Sequence, residues 1–216
     1  MWPRLVVFIF VIGCCLISTS YAGSPAESTA ATNTNTPLIL VMGDSLSAGF
    51  GIDQSHGWVN LLAKRLNSEG YLHRVFNASI SGETSRGGLV RLANTLNKNP
   101  SIVIIELGAN DGLRGLPLDQ LRNNLEKMVT LSQKVTKKVL LVGMRLPTNY
   151  GPAYIAGFHS IYLDLAKKYQ TSLVPFLLEG VATQRSLMQG DNLHPTAEAQ
   201  PKLLDNVWRH LQPILK

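Results

Sequence analysis

The sequence contains only two cysteines, Cys14 and Cys15, both within its first fifteen residues. A chain cut after them has no disulfide, no thiol nucleophile and no thiolate metal ligand. Charge is also sparse, at 16% of residues, and aromatics stand at 7%. The basic excess is +6, or +5 without Arg4 (19 basic against 14 acidic residues), and it is scattered in pairs such as Lys64-Arg65 and Lys167-Lys168. Such pairs fit solvated helix faces, with a weak attraction to anionic lipid as the functional alternative. No interleaving of aromatic and basic residues points to nucleic acid. The phosphate-cradling glycine loops, the G-x-S-x-G elbow and the H-E-x-x-H zinc motif are all missing. No cofactor and no metal are therefore expected.

Long apolar runs are missing as well, with one exception. Residues 5–17 follow a single arginine and are apolar except for Gly13 and the cysteines, and Ser20-Tyr21-Ala22 offers small residues for a cut. This run is too short to span a bilayer and is laid out as a secretory signal peptide. Residues 1–22 are read as that leader, and an exported, periplasmic or secreted protein is expected. The rival reading is a lipid anchor on Cys14, because Val11-Ile12-Gly13-Cys14 resembles a lipobox. Residues 23–36, rich in Ser, Ala, Thr and Asn, read as a flexible lead-in. Residues 37–216 form the expected domain.

Within that domain, short apolar runs alternate with segments of helical spacing. Residues 38–42, 74–77, 102–107, 139–144 and 173–174 are expected strands. Residues 58–66, 89–96, 118–135, 155–169 and 196–211 are expected helices, the last with Thr196 as N-cap. Continuous apolar strands separated by helices argue for a parallel sheet covered on both faces. The expected fold is a three-layer α/β/α sandwich with about five parallel strands. Ligands of such sheets bind beyond the carboxyl ends of the strands, so the residues after each strand matter most.

Those positions hold Gly43-Asp44-Ser45-Leu46-Ser47, Ser81-Gly82-Glu83-Thr84, Gly108-Ala109-Asn110-Asp111 and, near the chain end, Asp191-Asn192-Leu193-His194-Pro195. Acyl transfer needs a serine with a base in reach, and an acceptor that fixes the base's tautomer. It also needs donors for the oxyanion. Ser45, His194 and Asp191 are the candidates for the first three roles. The N–H groups of Ser45 and Gly82 and the side chain of Asn110 are candidates for the fourth. Alone, each has a plainer reading: Ser45 as a helix cap, Gly82 and Asn110 as turn residues, His194 as a loop residue. Ser47 is a cap candidate, Asp44 a bracing acceptor and Asp111 structural. His56, His73, His159 and His210 read as surface or packing residues.

Taken together, the four blocks resemble those of the SGNH, or GDSL, hydrolases, in order and in similar spacing from Pro37 onward. Residues 77–84, 105–115 and 145–151 are similar to the bacterial TesA-type subfamily. The resemblance implies a flavodoxin-like hydrolase fold and a cofactor-free esterase working through a covalent acyl-enzyme. Its substrates would be acyl esters, acyl-CoA thioesters, lysophospholipids or aryl esters. The expected partners are such small molecules, with transient contact with membrane lipid, and a monomer is expected. The alternatives are a carbohydrate O-deacetylase and a non-catalytic lipid-binding protein on the same fold. Leu113, Leu116, Leu146 and Pro147, in loops after the third and fourth strands, are expected to form an apolar wall for the acyl chain.

Overall fold

The computed structural model describes residues 36–216. The leader, Cys14 and the lead-in up to residue 35 lie outside the described residues. Five strands form one parallel sheet: β1 (Leu38–Gly43), β2 (Arg74–Asn77), β3 (Ile102–Glu106), β4 (Val139–Val142) and β5 (Ser172–Val174). Their order is β2-β1-β3-β4-β5. β1, β3 and β4 are buried along their whole length. Helices cover both faces, which is why these strands read as unbroken apolar runs. The edge strand β2 is short and mostly exposed.

Among the described residues, seven α-helices connect and cover the strands: α1 (Ser45–Ala48), α2 (Trp58–Ser68), α3 (Ser85–Leu96), α4 (Ala109–Leu113), α5 (Leu118–Val135), α6 (Pro152–Tyr169) and α7 (Gln200–Leu211). α2 packs with α7, while α5 packs with both α3 and α6. The result is a three-layer α/β/α sandwich. Trp58, Phe158 and Tyr162 are its largest fully buried side chains, each contributing roughly 1.5–3 kcal/mol of apolar burial. No described helix is long and apolar enough to cross a membrane.

The expected elements are all present, with shifted ends. α3 starts at Ser85 because Thr84 caps it, its hydroxyl accepting from the Gly87 N–H at 3.3 Å. α6 starts at Pro152, whose fixed φ suits a first turn. Thr196 does not cap α7. It precedes a short 3-10 turn, Ala197–Ala199, without a side-chain capping bond, and α7 begins at Gln200. Two short helices, α1 and α4, escaped the periodicity reading, since four or five residues show no period.

The strand order reverses between β1 and β3, with the chain running one way to β2 and the other way to β4 and β5. A crevice therefore opens beyond the carboxyl ends of β1 and β3.

Candidate active site

Ser45 is the first residue of α1, directly beyond β1. The cap of that helix is Asp44, whose Oδ1 accepts from the Leu46 N–H at 3.0 Å. Ser47 is not the cap. It lies inside α1, and its hydroxyl donates to Glu106 Oε2 at 2.6 Å. The β1 end packs so closely on β3 that a Cβ on Gly43 would lie 2.7 Å from both Glu106 Oε2 and the Ser47 Cβ. Only glycine fits there.

His194 reaches Ser45 from the loop before α7. Its Nε2 lies 2.9 Å from Ser45 Oγ, and its Nδ1 lies 2.6 Å from Asp191 Oδ2. The carboxylate can only accept, so Nδ1 carries the proton and Nε2 is left to accept from the serine hydroxyl. The other Asp191 oxygen accepts from the N–H groups of Leu193 and His194 at 2.9 and 3.0 Å. The hydrogen bond from the His194 ring, with those from the loop backbone, lowers the Asp191 pKa to about 2. An isolated antiparallel bridge between Met188 and Pro195 closes this loop at its base. The Phe50 ring lies over His194, with centroids 4.5 Å apart.

Gly82 lies in the loop after β2, and Asn110 lies beyond the end of β3. Gly82 has φ +78°, which a side chain rarely adopts, and its carbonyl accepts from Arg114 Nη2 at 3.0 Å. Asn110 opens α4, and its Nδ2 donates to Asp44 Oδ2 at 3.2 Å. Among the described hydrogen bonds, none uses the N–H of Ser45 or of Gly82. Asp111 is buried and structural. Its carboxylate takes the Ser85 N–H at 2.8 Å and the Ser85 hydroxyl at 2.6 Å, tying the start of α3 to α4.

Two carboxylates sit beneath α1. Asp44 is fully buried, and burial raises its pKa to about 6. Glu106 is also fully buried. Burial, aided by the nearby Asp44 charge, pushes its carboxyl well above the usual range. Sequence reading missed Glu106 because it is embedded in an apolar run. A lone carboxylate in an otherwise buried strand was the available signal.

A cavity of about 460 Å³ opens beside Ser45 and His194. Leu113, Leu146 and Pro147 line it, as expected. Leu116 does not. It lies beyond the end of α4, where its carbonyl accepts from the Tyr154 hydroxyl at 2.7 Å. The lining also includes residues the sequence reading passed over: Phe176, Leu178 and Met188. Phe176 and Leu178 follow β5, so the strand-end rule applied to that strand would have found them. Among the described residues, no three His, Cys, Asp or Glu side chains are grouped to hold a metal ion.

Chemically, the arrangement offers a serine hydroxyl within hydrogen-bond reach of an imidazole, a carboxylate on the other ring nitrogen, and the Asn110 carboxamide lining the same cavity. The GDSL-like lipase/acylhydrolase family model matches residues 41–200. An esterase TesA of Pseudomonas aeruginosa is 53% identical over 178 residues, covering 82% of this chain and 89% of that protein. A protein of Escherichia coli K12 named thioesterase 1/protease 1/lysophospholipase L1 is 40% identical over 178 residues, covering 82% and 84%. A crystal structure of TesA superposes with a TM-score of 0.80 at 53% identity, covering 82% of this chain and 99% of that one.

Proposed function

Since the chain belongs to the GDSL-like lipase/acylhydrolase family and is an esterase, we propose that it hydrolyses acyl esters and thioesters through a covalent acyl-enzyme on Ser45. The observation that carries this reading is the Asp191–His194–Ser45 chain, with links of 2.6 and 2.9 Å. His194 Nε2 takes the Ser45 proton as Oγ attacks the substrate carbonyl carbon. Asp191 holds the imidazole in the tautomer that leaves Nε2 free, and stabilises the imidazolium that forms. The Ser45 and Gly82 N–H groups and the Asn110 carboxamide receive the oxyanion. The tetrahedral intermediate collapses, and His194 gives its proton to the departing alkoxide or thiolate. Water, deprotonated by His194, then attacks the acyl carbon, and Ser45 leaves reprotonated.

The apolar wall of Leu113, Leu146, Phe176, Leu178 and Met188 favours an acyl chain over a sugar ring. Acyl esters, acyl-CoA thioesters and lysophospholipids all present such a chain. The enzyme is assigned as an exported monomer, on the leader reading of residues 1–22, with transient contact with membrane lipid.

The test is an organophosphonate probe followed by peptide mass spectrometry. The adduct is expected on Ser45 and absent from a folded Ser45→Ala variant. An adduct on Ser47 or Ser81 would overturn the assignment.

A further inference from the structure

Gln189 stands two residues before Asp191 and has no part in the chemistry proposed above. It is half-buried, and it bonds to both sides of the junction between the nucleophile turn and the acid–base loop. Its Nε2 donates to the Phe50 carbonyl at 2.8 Å and to the Pro195 carbonyl at 2.9 Å. Its backbone N–H donates to the His194 carbonyl at 2.7 Å. Its own carbonyl accepts from the Asn192 N–H at 3.1 Å and from Arg185 Nη1 at 2.8 Å. Both side-chain partners are carbonyls, so the orientation of the carboxamide is forced: only its NH2 can face them.

What these bonds join is the two halves of the site. Phe50 is tied back to the nucleophile, its N–H donating to the Ser45 carbonyl at 3.1 Å, and its ring covers His194. The turn after α1 closes tightly on the glutamine, since a Cβ on Gly51 would lie 2.2 Å from Gln189 Oε1. Ser45 and His194 are 149 residues apart in sequence. Ser45 is anchored by β1, whereas His194 sits on an exposed loop without a strand of its own.

We infer that Gln189 is a positioning residue whose carboxamide buckles the His194 loop onto the Ser45–Phe50 turn and so sets the distance between base and nucleophile. This rests on the proposed roles of Ser45 and His194. A base held about 1 Å out of place slows the chemical step by up to roughly a hundredfold without weakening substrate binding.

The experiment compares Gln189→Met with Gln189→Glu. Methionine removes the donor without adding charge. Glutamate keeps the shape, but its carboxylate faces two carbonyl oxygens and can donate to neither. Expected are cooperative melting in both variants, KM within about twofold of the unsubstituted enzyme, and kcat lower by roughly ten- to a hundredfold. The rate of Ser45 phosphonylation should fall by the same factor as kcat. The kcat ratio of Glu to Met variant should rise as pH falls, because a protonated carboxyl regains one donor. Unchanged kcat in folded Gln189→Met would overturn the inference. So would a loss confined to KM, or one that merely follows the unfolded fraction. Failure of the unsubstituted enzyme to label on Ser45 would instead overturn the underlying catalytic reading.

Discussion

Two aspartates flank the contact between Ser45 and His194, and their surroundings are opposite. Asp44 is fully buried beneath α1, beside a second buried carboxyl, and burial raises its pKa to about 6. Asp191 sits in a surface loop with 39% of its side chain exposed, and hydrogen bonds lower its pKa to about 2. Desolvation disfavours the charged form, while hydrogen bonds to the charged form favour it. Asp191 therefore stays an anion throughout the working pH range, as the partner of a developing imidazolium must. Asp44 is poorly placed for that role and well placed for another. It accepts from Asn110 and caps α1, so it braces Asn110 and Ser45 in one frame. Nearness to the serine does not separate the two residues; solvation does.

Breaking the exposed member should cost the most. Asp191→Asn presents an amide in place of the acceptor and favours the wrong imidazole tautomer. We expect kcat to fall by roughly a thousand- to ten-thousandfold, measured at steady state with a chromogenic acyl ester. Retention of most activity would mean that Asp191 does not orient His194. Next comes the donor that Asp44 holds. Asn110→Ala should lower kcat by roughly a hundred- to a thousandfold, the usual cost of one lost oxyanion donor. A loss in KM alone would make Asn110 a substrate-binding residue.

Asp44→Asn sharpens the comparison, because it should separate activity from stability. Losing the charged acceptor for Asn110 should lower kcat by about tenfold, in line with one hydrogen bond to a charged group. Stability should respond in the other direction as pH rises. A raised folded-state pKa stabilises the fold below the ordinary value of 3.8, and that contribution is lost as pH rises through about 6. The melting temperature should therefore decline between pH 4 and 6 less steeply in Asp44→Asn than in the unsubstituted enzyme. Asp191 has the reverse sign, with its contribution lost only as pH falls towards 2. Calorimetry across pH would show equal slopes if Asp44 were not desolvated.

The smallest effect distinguishes two half-buried leucines, one lining the cavity and the other not. Leu113→Ala, at the cavity wall, should shift the kcat/KM ratio of long to short acyl esters by roughly three- to tenfold, given about 0.8 kcal/mol per buried methylene. Leu116→Ala should leave that ratio unchanged.

Much of this was legible in the sequence, for identifiable reasons. Sheet and helices followed from apolar runs and helical periods, because burial on one face or two leaves those patterns. Ser45, Gly82 and Asn110 stood after strands, and Asp191 and His194 three apart in one late loop, where few residue types can supply acyl-transfer chemistry. The two leucines divided because periodicity says nothing about which way a loop residue faces. Leu113 ends α4 and turns inward, whereas Leu116 follows Gly115 and turns away. Glu106 was hidden by its neighbours, Ile105 and Leu107, whose apolar character matched the strand. The contribution of Gln189 was illegible for another reason. It bonds to carbonyls at Phe50 and Pro195, and carbonyls leave no mark in a sequence.

The bridge between Met188 and Pro195 has a thermal consequence. It makes residues 189–194 a closed ring that carries acid and base together. The ring is largely exposed and has little packed surface of its own, whereas β1, β3 and β4 are sealed between helices. Elements with few buried contacts open at lower free energy than the core they rest on. On warming, Asp191 and His194 are expected to leave Ser45 as a pair while the sheet stays intact, so activity assays run beside calorimetry should show activity lost below the melting temperature and regained on cooling.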